Sequence, residues 1–158
     1  MKKIILSLLA VFAFGAVQAQ DGGFKAGLNL GLPMGDIKDA YSFTVGVDLA
    51  YMWAVADSFQ AGVSLGYAHY MAKEDFIDDA GFLPIAATAQ YSLSDNFFIG
   101  ADLGYAVGIS PSGNDGGFLY QPKVGYQTEK YEIFAGYKGI SVDGGTFSSV
   151  GVGFNYKF

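Results

Sequence analysis

Apolar and polar side chains alternate one by one along most of this chain. From residue 41 one parity reads Tyr41, Phe43, Val45, Val47, Leu49, Tyr51, Trp53, and the other Ser42, Thr44, Gly46, Asp48, Ala50, Met52. The pattern recurs in eight segments, 24–32, 41–53, 59–70, 83–93, 97–109, 118–127, 131–139 and 148–158. A repeat of two is a strand repeat, whereas an apolar helical stripe returns about every 3.6 residues. Eight strands are therefore predicted.

The connections alternate in length. Short ones fall near 54–58, 94–96 and 128–130, and longer ones near 33–40, 71–82, 110–117 and 140–147. The longer set is rich in Gly, Asp and Ser, which is turn chemistry. Short-long alternation fits an up-and-down antiparallel barrel, with both ends of the sheet on one side.

The distribution of charge decides which face of such a barrel is which. The segments hold seven charges, Lys25, Asp48, Asp102, Lys123, Glu132, Lys138 and Lys157, all on the parity opposite the apolar one. Most strand glycines share the charged parity, Gly27, Gly46, Gly66, Gly104 and Gly151 among them. A water-soluble barrel turns apolar residues inward, while a membrane barrel turns them out to lipid. Glycines on the charged face suit a narrow interior that must hold long polar side chains. Aromatics gather at strand ends. Phe24, Tyr51, Trp53, Phe59, Tyr91, Phe97, Tyr126, Tyr131, Tyr156 and Phe158 lie toward the short turns, and Tyr41, Tyr67, Tyr105, Tyr120 and Tyr137 toward the long loops. Two such girdles are expected at the two interfaces of a bilayer. Pro84 and Pro122 break the pattern, because proline removes a ladder hydrogen bond.

Composition and charge narrow the class further. The 158 residues include 23 glycines, about twice the ordinary share of about 7%. The 51% apolar content and 16% aromatic content exclude disorder, and the absence of cysteine excludes a disulfide scaffold and a thiolate metal site. All nine basic residues are lysines against 15 acidic residues, so no basic face exists for nucleic acid. Residues 1–19 read as a signal peptide: Lys2 and Lys3 open it, an apolar stretch follows from 4 to 14, and Val17-Gln18-Ala19 is a small-x-small cleavage site. The stretch is too short to span a bilayer as a helix, which needs about 20 residues. The expected mature domain is 20–158, the barrel itself.

The chain resembles the small eight-stranded outer-membrane barrels of Gram-negative bacteria, the OmpA-like, OmpX/Ail-like and opacity-antigen-like class. Signal peptide, alternating segments and the closing Gly-Val-Gly-Phe-Asn-Tyr-Lys-Phe carry the likeness. It implies an all-β, eight-stranded transmembrane barrel in the bacterial outer membrane, in contact with its lipid. It also implies that Phe154, Tyr156 and Phe158 form a terminal signal for the barrel-assembly machinery, and that the long loops face outward toward an external partner. It implies no particular ligand, because function in this class varies from member to member.

The lumen charges are the first candidates for chemistry. A hairpin centred near residue 36 sets Lys25 opposite Asp48, and one centred on Gly113 sets Asp102 diagonal to Lys123. Glu132 should lie near Gln127, Asn155 and Lys157, and Lys138 completes the set. Buried charges need partners, so a satisfied polar core is the first expectation and a narrow ion path the second. The four long loops carry eight acidic residues, Asp36, Asp39, Glu74, Asp75, Asp78, Asp79, Asp115 and Asp143, against Lys38 and Lys73. That net of -6 disfavours direct binding of anionic polysaccharide or phosphate and leaves divalent bridging open. Asp75, Asp78 and Asp79 match no EF-hand spacing. The sole histidine, His69, has no serine two residues away, so a nucleophilic triad is not expected. No cofactor motif is present. The expected role is that of a non-enzymatic barrel acting through its loops in adhesion, surface protection or envelope integrity, with a small porin-like channel as the alternative.

Overall fold

The computed structural model describes residues 22–158, so the expected signal peptide and its cleavage site lie outside the described residues. Eight strands follow in order: β1 (Gly22–Met34), β2 (Tyr41–Ala56), β3 (Phe59–Ala72), β4 (Ala80–Ser92), β5 (Phe97–Ser110), β6 (Gly117–Gln127), β7 (Tyr131–Val142) and β8 (Gly145–Lys157). Each pairs antiparallel with the next, and β1 closes on β8 from Lys25↔Lys157 to Met34↔Ser148. Closure leaves no sheet edge, which a bilayer requires of any strand structure.

The alternation is expressed as expected. Leu28, Leu32, Val47, Leu103, Val124 and Val152 point outward and are more than half exposed. On β1 the outward series runs from Phe24 to Met34. At about 3.3 Å per residue and a tilt near 40°, that climbs about 25 Å, the height of a barrel's apolar band. Facing inward, Lys25, Gln90, Asp102, Gln121, Gln127, Glu132 and Lys138 are buried. Inward glycines admit the rings of neighbouring strands. A Cβ on Gly125 would meet the Phe98 ring at 2.8 Å.

Three expectations need correction. The region 140–147 is not a long loop: β7 and β8 run on to the pair Val142↔Gly145, joined by Asp143 and Gly144. Gly144 takes φ +93°, the left-handed geometry of a tight Asp-Gly hairpin turn. β4 likewise starts at Ala80, ahead of the predicted 83. Tyr41 leaves the outer girdle. A bulge between Tyr41 and Phe43 turns its ring inward, against Tyr70 at 6.2 Å and Phe147 at 5.3 Å.

The prolines sit within strands at a local cost. The β3–β4 pairing is interrupted between Leu65↔Ile85 and Ala68↔Phe82, the rows around Pro84, and resumes in the same register. The β6–β7 pairing is interrupted between Tyr120↔Gly139 and Lys123↔Gly136, the rows around Pro122, again without a change of register. Each proline still pairs with β5 on its other side, as Pro84↔Ala106 and Ala101↔Pro122.

Candidate functional site

The lumen is filled in three layers. At the turn end, Glu132 is 1% exposed and collects three hydrogen-bond donors and a second lysine. Its Oε1 accepts from Lys25 Nζ at 2.6 Å and Gln90 Nε2 at 3.1 Å, its Oε2 accepts from Asn155 Nδ2 at 3.1 Å, and Lys157 Nζ, which donates to the Thr128 carbonyl, forms an ion pair with Oε1 at 3.2 Å. Gln90 also accepts from Lys25 and donates to Gln127, which donates to Ser92. This disk draws on β1, β4, β6, β7 and β8. It lets one carboxylate hold two lysines that lie side by side as the pair Lys25↔Lys157.

In the middle layer, Lys123 Nζ donates to both oxygens of Asp102, at 2.8 and 2.9 Å, and lies 5.6 Å from the Phe134 ring centre. Asn29 stands between Asp48 and Lys138, donating to Asp48 Oδ2 and accepting from Lys138 Nζ at 3.5 Å. A cavity of about 40 Å³ lies among Lys25, Asp48, Asp102, Lys123, Lys138 and Asn155.

The loop end is closed by a different material. Tyr70, Phe82, Leu119 and Ile140 are almost wholly buried, with Ala68, Ala80, Ala86 and Ala106 beside them. Phe147 packs edge-on to Tyr70 and Phe82 at 5.4 and 4.9 Å. Ile37, in the short turn Gly35–Ile37, and Ile77, in the 73–79 loop, fold onto the same cluster.

The loops above this plug are tied to one another. Asp36 Oδ2 accepts from the Thr146 backbone N–H, Tyr41 donates to the Asp78 carbonyl, Ser110 Oγ donates to the Asp79 carbonyl, and Lys73 Nζ donates to the Lys38 carbonyl. Asp79 is the busiest of these residues. Its Oδ1 accepts the Ala72 N–H at 2.8 Å, and its Oδ2 lies 3.1 Å from His69 Nε2. His69 Nδ1 in turn lies 3.2 Å from Tyr67 Oη. With Nε2–H donating to Asp79, Nδ1 is left to accept from Tyr67. The Ala72 N–H foremost, and then His69, holds the Asp79 carboxyl below its ordinary range. Phe76 stands out at 84% exposure among Glu74, Asp75 and Asp78.

Set against the residues named from sequence, the structure joins Asp102 to Lys123, and Glu132 to Asn155 and Lys157. It does not join Lys25 to Asp48. The hairpin register is shifted by two, placing Lys25 across from Ala50 and Asp48 across from Gly27, because the tight turn Gly35–Ile37 moves its centre. Lys25 instead reaches past β8 to Glu132 on β7. Gln127 pairs directly across from Glu132, as expected, whereas sequence reading missed Asn29, Gln90 and Gln121, whose inward parity was the available signal. It also missed Asp79 as the partner of His69. Among the described residues no group of three His, Asp or Glu side chains is placed to hold a metal ion, and Asp79 is turned away from Asp75 and Asp78 to its own partners. Phe154, Tyr156 and Phe158 share the outward face at the end of β8, with Phe158 78% exposed.

This arrangement is that of the eight-stranded outer-membrane barrels, a class of fold in which the bilayer meets the outer face of one closed sheet. The crystal structure of the attachment invasion locus protein Ail of Yersinia pestis superposes with TM-score 0.57 at 16% identity, covering 89% of this chain and 100% of that one. Neisserial surface protein A gives 0.53 at 18% identity, covering 87% and 97%. A de novo designed transmembrane β-barrel gives 0.57 at 15% identity, covering 88% and 98%. No protein-family model matches the sequence, and no curated protein sequence matches it. The likeness is one of fold.

Proposed function

We propose that this protein is a non-enzymatic barrel of the bacterial outer membrane whose lumen is a packed core and whose tied, acidic loops are the working surface, in adhesion or another surface interaction. The observation that carries this reading is the closure of the lumen at both ends, by the Glu132 disk at the turns and by the Tyr70–Phe82–Phe147 plug at the loops. A path for solute would have to break both. The loops are cross-tied and carry an exposed Phe76 among carboxylates. That surface suits a cationic partner with an apolar contact of its own, by charge complementarity. The Tyr67–His69–Asp79 chain ties the 73–79 loop to β3, which gives His69 a structural task.

The likeness in fold supports a life that begins with removal of residues 1–19 and passes through the barrel-assembly machinery, read at Phe154, Tyr156 and Phe158. A porin-like role draws its support from one observation, the polar cavity of about 40 Å³ at mid-barrel. The two readings separate in cells expressing the protein or a variant with residues 74–78 replaced by Gly and Ser, with heat-modifiable migration as the control for folding. The loop reading expects attachment to a cationic surface that the loop variant loses. Unchanged attachment in that variant, with solute uptake altered by Asp102→Ala, would overturn it in favour of the channel.

A further inference from the structure

The strands place four lysines in the lumen, Lys25, Lys123, Lys138 and Lys157, against three carboxylates, Asp48, Asp102 and Glu132. The interior therefore carries one positive charge in excess. Lys25 and Lys157 share Glu132, and Lys123 is held by both oxygens of Asp102. Lys138 is in another situation. It is 8% exposed, it faces Asp48 only through Asn29 and not by a direct ion pair, and its one hydrogen bond, to Asn29 Oδ1, is 3.5 Å long. An ammonium group carries three donors. Here at least two have no acceptor in the chain among the described residues.

Beside Lys138 lies a second cavity, of about 20 Å³. Its floor is a row of glycines, Gly31, Gly151 and Gly136, paired directly across β1, β8 and β7. The missing side chains leave the space. Thr44, Gln121 and Ser149 line it with two hydroxyls and an amide, and no carboxylate is part of its lining. By the same measure a water-sized guest needs about 10–15 Å³. The niche thus accepts one small particle, and Lys138, the Thr44 and Ser149 hydroxyls and the Gln121 and Asn29 amides around it can each turn a donor toward it.

We propose that this niche binds a small monovalent anion of the halide class, held by Lys138 Nζ and by donors from Thr44, Gln121 and Ser149. One such ion brings the lumen to neutrality, in a setting where an uncompensated buried charge is unfavourable. The anion is structural in this reading, a part of the core rather than a cargo, and its binding does not depend on what the loops do.

Bromide tests the proposal, because it scatters anomalously. Crystals of the refolded barrel grown in sodium bromide should show an anomalous peak within hydrogen-bonding reach of Lys138 Nζ. The peak should vanish in Lys138→Met. It should vanish in Gly136→Ala as well, where the new Cβ enters the niche and meets nothing closer than the Pro122 carbonyl at 3.0 Å. In solution, the urea midpoint of the wild-type barrel should rise when gluconate is replaced by chloride at equal ionic strength, and the response should flatten in both variants. Gly136→Ala keeps the test open if Lys138→Met fails to fold. An ordered Lys138 with no bromide peak, a peak that survives Lys138→Met, or a chloride response unchanged in both variants would overturn the proposal.

Discussion

Glu132 and Phe82 are both sealed inside one barrel, and their neighbours have nothing in common. Around Glu132 stand two lysines, Gln90 and Asn155, each aimed at a carboxylate oxygen. Around Phe82 stand Tyr70 and Phe147, edge to face. The turn end of the lumen is a hydrogen-bonded network and the loop end is an aromatic core. The polar disk works as a unit, since each buried charge depends on the others for its partners. The plug tolerates exchange of similar volumes, because rings and aliphatic groups hold one another by contact alone. A single fold thus solves the filling of a narrow lumen twice.

The largest expected effect breaks the polar end. Glu132→Ala strands Lys25 and Lys157 beside each other and should destabilise the barrel by about 3–5 kcal/mol in urea titrations of the refolded protein. The apolar end should lose somewhat less. Leu119→Ala, at a site 2% exposed, should cost on the order of 3 kcal/mol through transfer and cavity terms. Leu103→Ala on the lipid face is the paired control. Its side chain leaves no internal cavity, so it should cost about 1 kcal/mol at most in the same titration.

Tyr70→Phe sharpens the contrast with a change of opposite sign. The Tyr70 hydroxyl is buried in the plug beside the Ser149 side chain, without a well-formed hydrogen bond. An unmet buried polar group costs about 1–3 kcal/mol, so its removal should raise stability by about 1 kcal/mol. A loss of stability in that variant would show that the plug depends on a polar tie at Tyr70.

The smallest effect lies outside both halves, in the 73–79 loop. Asp79 is held below the ordinary aspartate value of about 4, so its tie to Ala72 is fully present above that value and is lost only as pH falls through the lowered one. Hydrogen exchange at the Ala72 amide should stay slow down to about pH 4 and accelerate below it. In Asp79→Asn the acid step should disappear.

Strand number, parity and the Asp102–Lys123 contact were legible in the sequence, because alternation and hairpin symmetry are local signals. Lys25–Glu132 was not, since it joins β1 to β7 across 107 positions and depends on how the sheet tilts and closes. The plug was hidden for a different reason. Near the loop end the outer face meets water, and the sense of the alternation inverts. Ile140 is buried while Ser141 is exposed, and Tyr41 is buried while Ser42 is exposed. A search for apolar-outward strands ends where that inversion begins, which is why 140–147 read as a loop. The Asp-Gly pair at 143–144 was the signal that would have restored the hairpin.

The central claim is that the lumen is core at both ends. Planar-bilayer recording of the refolded mature barrel tests it most directly. A folded, heat-modifiable protein that stays silent under applied voltage is the expected result, and Asp102→Ala should leave it silent. Reproducible discrete conductance steps, altered by Asp102→Ala, would contradict the claim and make the middle layer a path.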